Sequence, residues 1–216
     1  MQAIGIVIKF RALLSACQGL GLQGRYSLRG ARVDGMPSPR RVAVEKKDKL
    51  EALKLALTNE EKERDFYLGH ARRTKDKLGK QMFESIAGDE DMHHRRLLDL
   101  HKKLEERSKW PDGFSIDIST RVIEALGRLS KEATASPEND DDDVNAVKVA
   151  IEFEQKGEEF YARLAEQAKD KAEKRFFTLL SSMEREHRLS LGDTLEYFTD
   201  PESWMERKGG RHLDGA

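Results

Sequence analysis

The sequence holds one cysteine among 216 residues, Cys17, so it carries no intramolecular disulfide and no Cys-x-x-Cys metal or iron–sulfur motif. It also lacks an uncharged apolar run of about eighteen residues, the length a membrane-spanning helix requires. Its 39 basic and 40 acidic residues nearly cancel, leaving no overall field to attract nucleic acid or an anionic membrane. Neither is an expected partner, and the expected location is the cytoplasm. Only five prolines interrupt the chain, which leaves room for long helices. What is plentiful is charge of both signs. Asp, Glu, Lys and Arg make up 37% of the residues, a composition suited to helices with salt-bridged outer faces.

Residues 1–43 differ from the rest, holding one acid (Asp34) against seven bases, Lys9, Arg11, Arg25, Arg29, Arg32, Arg40 and Arg41. The bases follow the apolar run Met1–Ile8, the reverse of their order in a secretory signal. Three readings stay open: an organellar transit peptide, an upstream extension of a protein that starts at Met36, and a disordered tail. All three place the segment outside the fold. The organisation expected is therefore an extension over 1–43, a folded domain over 44–200 and a short tail over 201–216.

Within the folded part, Leu50, Leu53, Ala56, Leu57, Phe66, Tyr67 and Ala71 recur at steps of three and four, the period of an amphipathic helix from Lys46 to about Lys75. Similar patterns predict helices from about Lys77 to Glu106, from after Asp140–Asp143 to about Lys169, and from Lys171 to about Phe198. The acidic run favours a helix N-terminus, and Pro201 marks the last stop. Between the second and third helices lies the stretch Arg107–Asp140, whose middle, Ser119–Lys131, reads as a short helix.

The chain repeats itself. Ala56, Glu60, Phe66, Tyr67, Ala71, Lys75 and Asp76 reappear 94 residues later as Ala150, Glu154, Phe160, Tyr161, Ala165, Lys169 and Asp170. At the same offset Lys80, Phe83, Glu90, His93 and Leu97 become Lys174, Phe177, Glu184, His187 and Leu191. The repeating unit is a helical hairpin, which predicts an all-α four-helix bundle with a long crossover between helices two and three.

Each repeat carries a Glu on its first helix and Glu-x-x-His on its second: Glu60 with Glu90 and His93, Glu154 with Glu184 and His187. Residues three apart share a helix face. Glu60 and Glu90 are equidistant from Lys75, and Glu154 and Glu184 from Lys169, so each pair sits at one height in its hairpin. Fifteen helical residues place that height about 22 Å from the turn, near mid-bundle. Two such hairpins packed about a pseudo-twofold axis bring four Glu and two His together. This is the pattern of a di-iron carboxylate centre. Carboxylate and imidazole also suit manganese. Tyr67 and Tyr161 fall two turns after Glu60 and Glu154 on the same faces, placed to hydrogen-bond ligating carboxylates. His70, His94, His101 and His212 lack this repeat relation and are expected at the surface.

The runs Phe83–His93 and Phe177–His187, each preceded by a helix with Glu-x6-Tyr, resemble the rubrerythrin family of the ferritin-like superfamily, over about Lys46–Asp200. The resemblance implies a centre of two iron ions that reduces hydrogen peroxide or dioxygen, ligated by Glu60, Glu90, His93, Glu154, Glu184 and His187. It also implies a seventh carboxylate three residues after a ligand Glu, normally on the second repeat. That position is Gly157 here, whereas the first repeat offers Glu63, which becomes the candidate seventh ligand and catalytic residue. The rubredoxin module is missing, since its four cysteines are absent, so electrons must come from a separate donor such as a rubredoxin. A homodimer is expected. The competing readings are a ferroxidase that sequesters iron and a metal-free helical interaction module.

Overall fold

The computed structural model describes residues 39–106, 111, 122 and 136–210. Among them are five helices: α1 (Pro39–Arg73), α2 (Lys77–Glu106), α3 (Asp141–Gln167), α4 (Lys171–Thr199) and α5 (Pro201–Gly210). Helices α2, α3 and α4 fall within three residues of their expected bounds, α3 starting at Asp141 inside the acidic run that was expected to precede it. Helix α1 starts at Pro39, seven residues before the expected Lys46, with proline in the first turn where its missing N–H costs nothing. Residues 1–38 lie outside the described residues, and so do the readings made for them. The expected helix Ser119–Lys131 is described only at Val122, which is helical and buried.

The two hairpin turns are built alike. Asp76 accepts from the backbone N–H of Gly79 at 2.8 Å, and its repeat equivalent Asp170 accepts from Ala172 and Glu173 at 2.7 and 3.1 Å. Each aspartate satisfies N–H groups that the first turn of a helix leaves unpaired. Asp140 caps α3 in a reciprocal capping box with Asp143.

Cross-links between the hairpins fix the topology. Arg73 and Thr74, at the first turn, bond Asp142 and Asp143 at the start of α3 (Arg73 Nη1–Asp142 Oδ2 2.8 Å, Thr74 Oγ1–Asp143 Oδ2 3.0 Å). Near the start of α1, Lys49 pairs with Glu173 beside the second turn at 2.7 Å. Helices α1 and α3 are therefore antiparallel. The end of α2 lies by the second turn and the start of α3 by the first, at opposite ends of the bundle, as a long crossover between them requires. Helix α2 alone, at 30 residues, spans about 45 Å.

The interior has three layers. Around the first turn, Tyr67, Leu78, Met82, Phe83, Ile86, Val147, Leu191, Phe198 and others form one apolar cluster. Around the second, Leu53, Leu97, Leu100, Tyr161, Phe176, Phe177 and Leu180 form another. Acidic and imidazole side chains fill the layer between. In the first cluster α2 and α4 approach so closely that a Cβ on Gly79 would sit 2.5 Å from Phe198 Cζ, so a larger residue there would force the Phe198 ring to move.

The expected tail over 201–216 is instead structured as far as Gly210. Asp200 accepts from the N–H of Ser203 at 3.2 Å and starts α5, with Pro201 at its first position. Trp204, 1% exposed, packs on Tyr197 with ring centroids 4.9 Å apart. Lys208 stands over the indole and pairs with Asp193 at 3.0 Å. The proline that stops α4 also begins α5.

Candidate metal centre

The middle layer gathers all six repeat-related residues. Glu60, Glu90, His93, Glu154, Glu184 and His187 are each at most 1% exposed. They come from four helices, one Glu each from α1 and α3 and a Glu-x-x-His from each of α2 and α4. Because α2 and α4 are antiparallel, His93 of one faces Glu184 of the other and His187 faces Glu90. The imidazoles lie nearly parallel across the axis, centroids 5.7 Å apart.

Both histidines turn Nδ1 toward the carboxylates. His93 Nδ1 is 3.1 Å from Glu90 Oε2, 3.2 Å from Glu60 Oε2 and 3.5 Å from Glu184 Oε1. His187 Nδ1 is 3.1 Å from Glu90 Oε1, 3.4 Å from Glu154 Oε2 and 4.0 Å from Glu184 Oε2. Two sets follow whose donor atoms all lie within 4.8 Å of one another: Glu60, Glu90, His93 and Glu184, and Glu90, Glu154, Glu184 and His187. Glu90 and Glu184 belong to both.

The donor atoms fit a pair of cations. Glu90 Oε1, Glu154 Oε2, both carboxylate oxygens of Glu184 and His187 Nδ1 are buried without a hydrogen-bond partner among the described residues. Unpaired buried groups of this kind are costly unless something binds them. None of these carboxylates pairs with a lysine or arginine among the described residues. Four carboxylates and two neutral imidazoles carry four negative charges, the number that balances two divalent ions.

Without cations the layer must hold protons. Burial, then the neighbouring Glu90 charge, pushes the Glu60 carboxyl up to about 8. Glu184 is raised for the same two reasons. Burial opposes charge on the histidines too, but Glu90 beside His93 and Glu154 beside His187 outweigh it and raise both. Glu90 goes the other way. Burial favours its neutral form, yet contact with His93 and His187 holds its carboxylate well below the usual range.

The tyrosines cross between hairpins. Tyr67 of α1 donates its hydroxyl proton to Glu154 Oε1 of α3, and Tyr161 of α3 donates to Glu60 Oε1 of α1. Each also packs on the phenylalanine of its own hairpin, Tyr67 on Phe83 and Tyr161 on Phe177, with centroids 6.1 and 6.4 Å apart. They serve the site and the core together.

Glu63 is buried, 6% exposed, on the inner face of α1, though it belongs to neither four-residue set. Burial, then Glu90, Glu60 and Glu154, raise its carboxyl well above the usual range. Its repeat equivalent is Gly157, packed closely against Glu184. A Cβ there would meet Glu184 Oε2 at 3.2 Å, tight enough that the Glu184 side chain would have to give by a few tenths of an ångström.

One site residue is not apparent from the sequence, and two histidines depart from their expected surface positions. Asp89, fully buried beside Glu90, meets His187 Nε2 at 3.2 Å. Position 183, its repeat equivalent, is Met, so no repeat marked it. His101 is buried near Glu105, not at the surface, and its Nε2 has no partner among the described residues. His70 is half-buried against Phe66 and Phe83, and burial with the nearby Arg73 lowers it to about 4. His94 is partly exposed, and His212 lies outside the described residues.

Among the described residues no helix is long and apolar enough to cross a membrane. A family model described as Rubrerythrin matches residues 51–116 and again 145–210, one match per hairpin. No curated protein and no solved structure matches the chain.

Proposed function

The chain belongs to the rubrerythrin family, and from that premise we propose that it is a cytoplasmic di-iron protein that reduces hydrogen peroxide to water. The observation that carries this reading is the pair of buried donor sets sharing Glu90 and Glu184. Glu60 and His93 would complete one metal position, Glu154 and His187 the other, with Glu90 and Glu184 common to both. Two ferrous ions bound there supply the two electrons that cleavage of the O–O bond consumes, while two protons complete two molecules of water. The electrons would be returned by a redox protein such as a rubredoxin.

The protein's own groups do the rest. Tyr161 and Tyr67 fix one oxygen of Glu60 and one of Glu154, leaving the other oxygen of each directed inward. The two apolar clusters keep bulk water from both sides of the layer. Glu63 supplies a fifth carboxyl group, one turn from Glu60, that holds a proton at its carboxylate oxygen until positive charge in the layer rises. Its ionisation would add a fifth negative charge, offsetting part of the positive charge left when bound ions give up electrons.

Metal analysis of the purified protein with peroxide consumption by its anaerobically reduced form tests the reading. About two irons per chain and stoichiometric peroxide loss are expected. Iron uptake far beyond two per chain would point to storage instead, and a protein that binds no metal would overturn the proposal.

A further inference from the structure

The two halves of the metal centre are held differently at their histidines. His187 Nε2–H donates to Asp89 Oδ2 at 3.2 Å across the α2–α4 contact, with both side chains fully buried. His93 has its Nε2 equally buried, yet that atom has no hydrogen-bond partner among the described residues. The sequence accounts for the difference. Asp89 immediately precedes Glu90 on α2, and the residue preceding Glu184 on α4 is Met183, whose thioether is a weak acceptor.

A carboxylate can only accept, so Asp89 requires the proton of the neutral imidazole to be on Nε2. That leaves the Nδ1 lone pair of His187 facing Glu90 and Glu154. The same contact fixes the ring plane. Among the described residues His93 has neither constraint, and its polar contacts are all made through Nδ1.

We propose that Asp89 is a positioning residue that makes the two metal positions unequal, the one completed by Glu154 and His187 binding a cation more tightly than the one completed by Glu60 and His93. The inference rests on the reading of this layer as a two-metal site. Outer partners that orient a ligating histidine contribute roughly 10–100-fold in metal affinity, so an offset of that size between the two binding steps follows.

Co(II) titrated anaerobically into the metal-free full-length protein, followed by visible absorption, resolves the two steps. Wild type is expected to bind two equivalents with affinities at least about tenfold apart. Asp89→Leu should weaken the tighter step by about 10–100-fold and leave the other unchanged, closing the gap. Asp89→Asn, which keeps an acceptor oxygen and the same volume, should weaken the same step by less, and it serves if the leucine variant fails to fold. Met183→Asp should tighten the weaker step alone, an effect that a merely structural role for position 89 does not foresee. In the Zn(II)-loaded protein, proton–nitrogen NMR should show one imidazole Nε2–H shifted downfield by a hydrogen bond to a carboxylate in wild type and none in Asp89→Leu. Equal affinities in wild type, or a loss spread evenly over both steps in the Asp89 variants, would overturn the inference while leaving the two-metal site standing. Failure of wild type to bind Co(II) at all would instead remove the two-metal reading itself.

Discussion

The protonated state of the metal-free layer has a measurable thermodynamic signature. Glu60 has a folded-state pKa of about 8 against an ordinary value of 4.5, raised by burial and by Glu90. In the folded, metal-free protein it therefore keeps its proton over a range where the unfolded chain releases it. A raised pKa of this kind contributes stability that is complete below about 4.5 and is lost as pH climbs toward 8. Each pKa unit corresponds to about 1.4 kcal/mol, so between pH 5 and pH 7 the loss from this one carboxyl is on the order of 3 kcal/mol. Glu60→Gln isolates it, because glutamine stays neutral throughout. Urea unfolding of both metal-free proteins at half-unit pH steps should show wild type losing about 3 kcal/mol relative to the variant over that interval. Saturating Zn(II), which needs the ionised carboxylate, should abolish the relative loss and stabilise wild type by mass action. A stability difference that is flat with pH, or that grows in favour of wild type as pH rises, would show that Glu60 is not buried beside an ionised Glu90.

Three further outcomes follow from the geometry. Glu63→Ala should retain most of the iron and slow peroxide turnover in stopped-flow mixing with the reduced protein, whereas Glu154→Ala should lose metal on elemental analysis; a wild-type rate for Glu63→Ala would reduce that residue to buried bulk. Tyr161→Phe removes the donor to Glu60 and should cost about 1–3 kcal/mol of metal-free stability in denaturant melts, with Tyr67→Phe doing the same through Glu154. Trp204→Ala should cost about 3–5 kcal/mol by thermal unfolding, and a loss within experimental error would mean that α5 is not packed on α4 in solution.

How much of this was legible in advance depended on repetition. The six donors could be named because each has a counterpart 94 residues away, and the turns could be placed because Asp76 and Asp170 are among those counterparts. Unrepeated features stayed hidden. Asp89 reads as one more acid in a run of charges, and only the antiparallel register of α2 and α4 carries it to His187. His101 looked like surface because its burial comes from tertiary packing, which helix periodicity does not report. Pro201 was a sound stop signal with a second meaning, since proline suits the first position of a new helix as well as it ends an old one. Glu63 was identifiable as a candidate from its spacing, but the close packing of Glu184 against its counterpart, Gly157, is visible only in three dimensions.

The crossing of Tyr67 to Glu154 and Tyr161 to Glu60 bears on how such a site diversifies. A lone hairpin holds half the donors and a tyrosine whose acceptor lies elsewhere, so it must pair with another hairpin. Were the two hairpins separate identical chains, every substitution would appear on both sides of the axis at once, and the two cation positions would be obliged to stay equivalent. Joining them in one polypeptide removes that obligation. The differences at Glu63 and Gly157, and at Asp89 and Met183, are ones that only a fused pair can express. Covalent linkage here does more than raise the local concentration of one half for the other: it is the condition under which the symmetry of the centre can be broken.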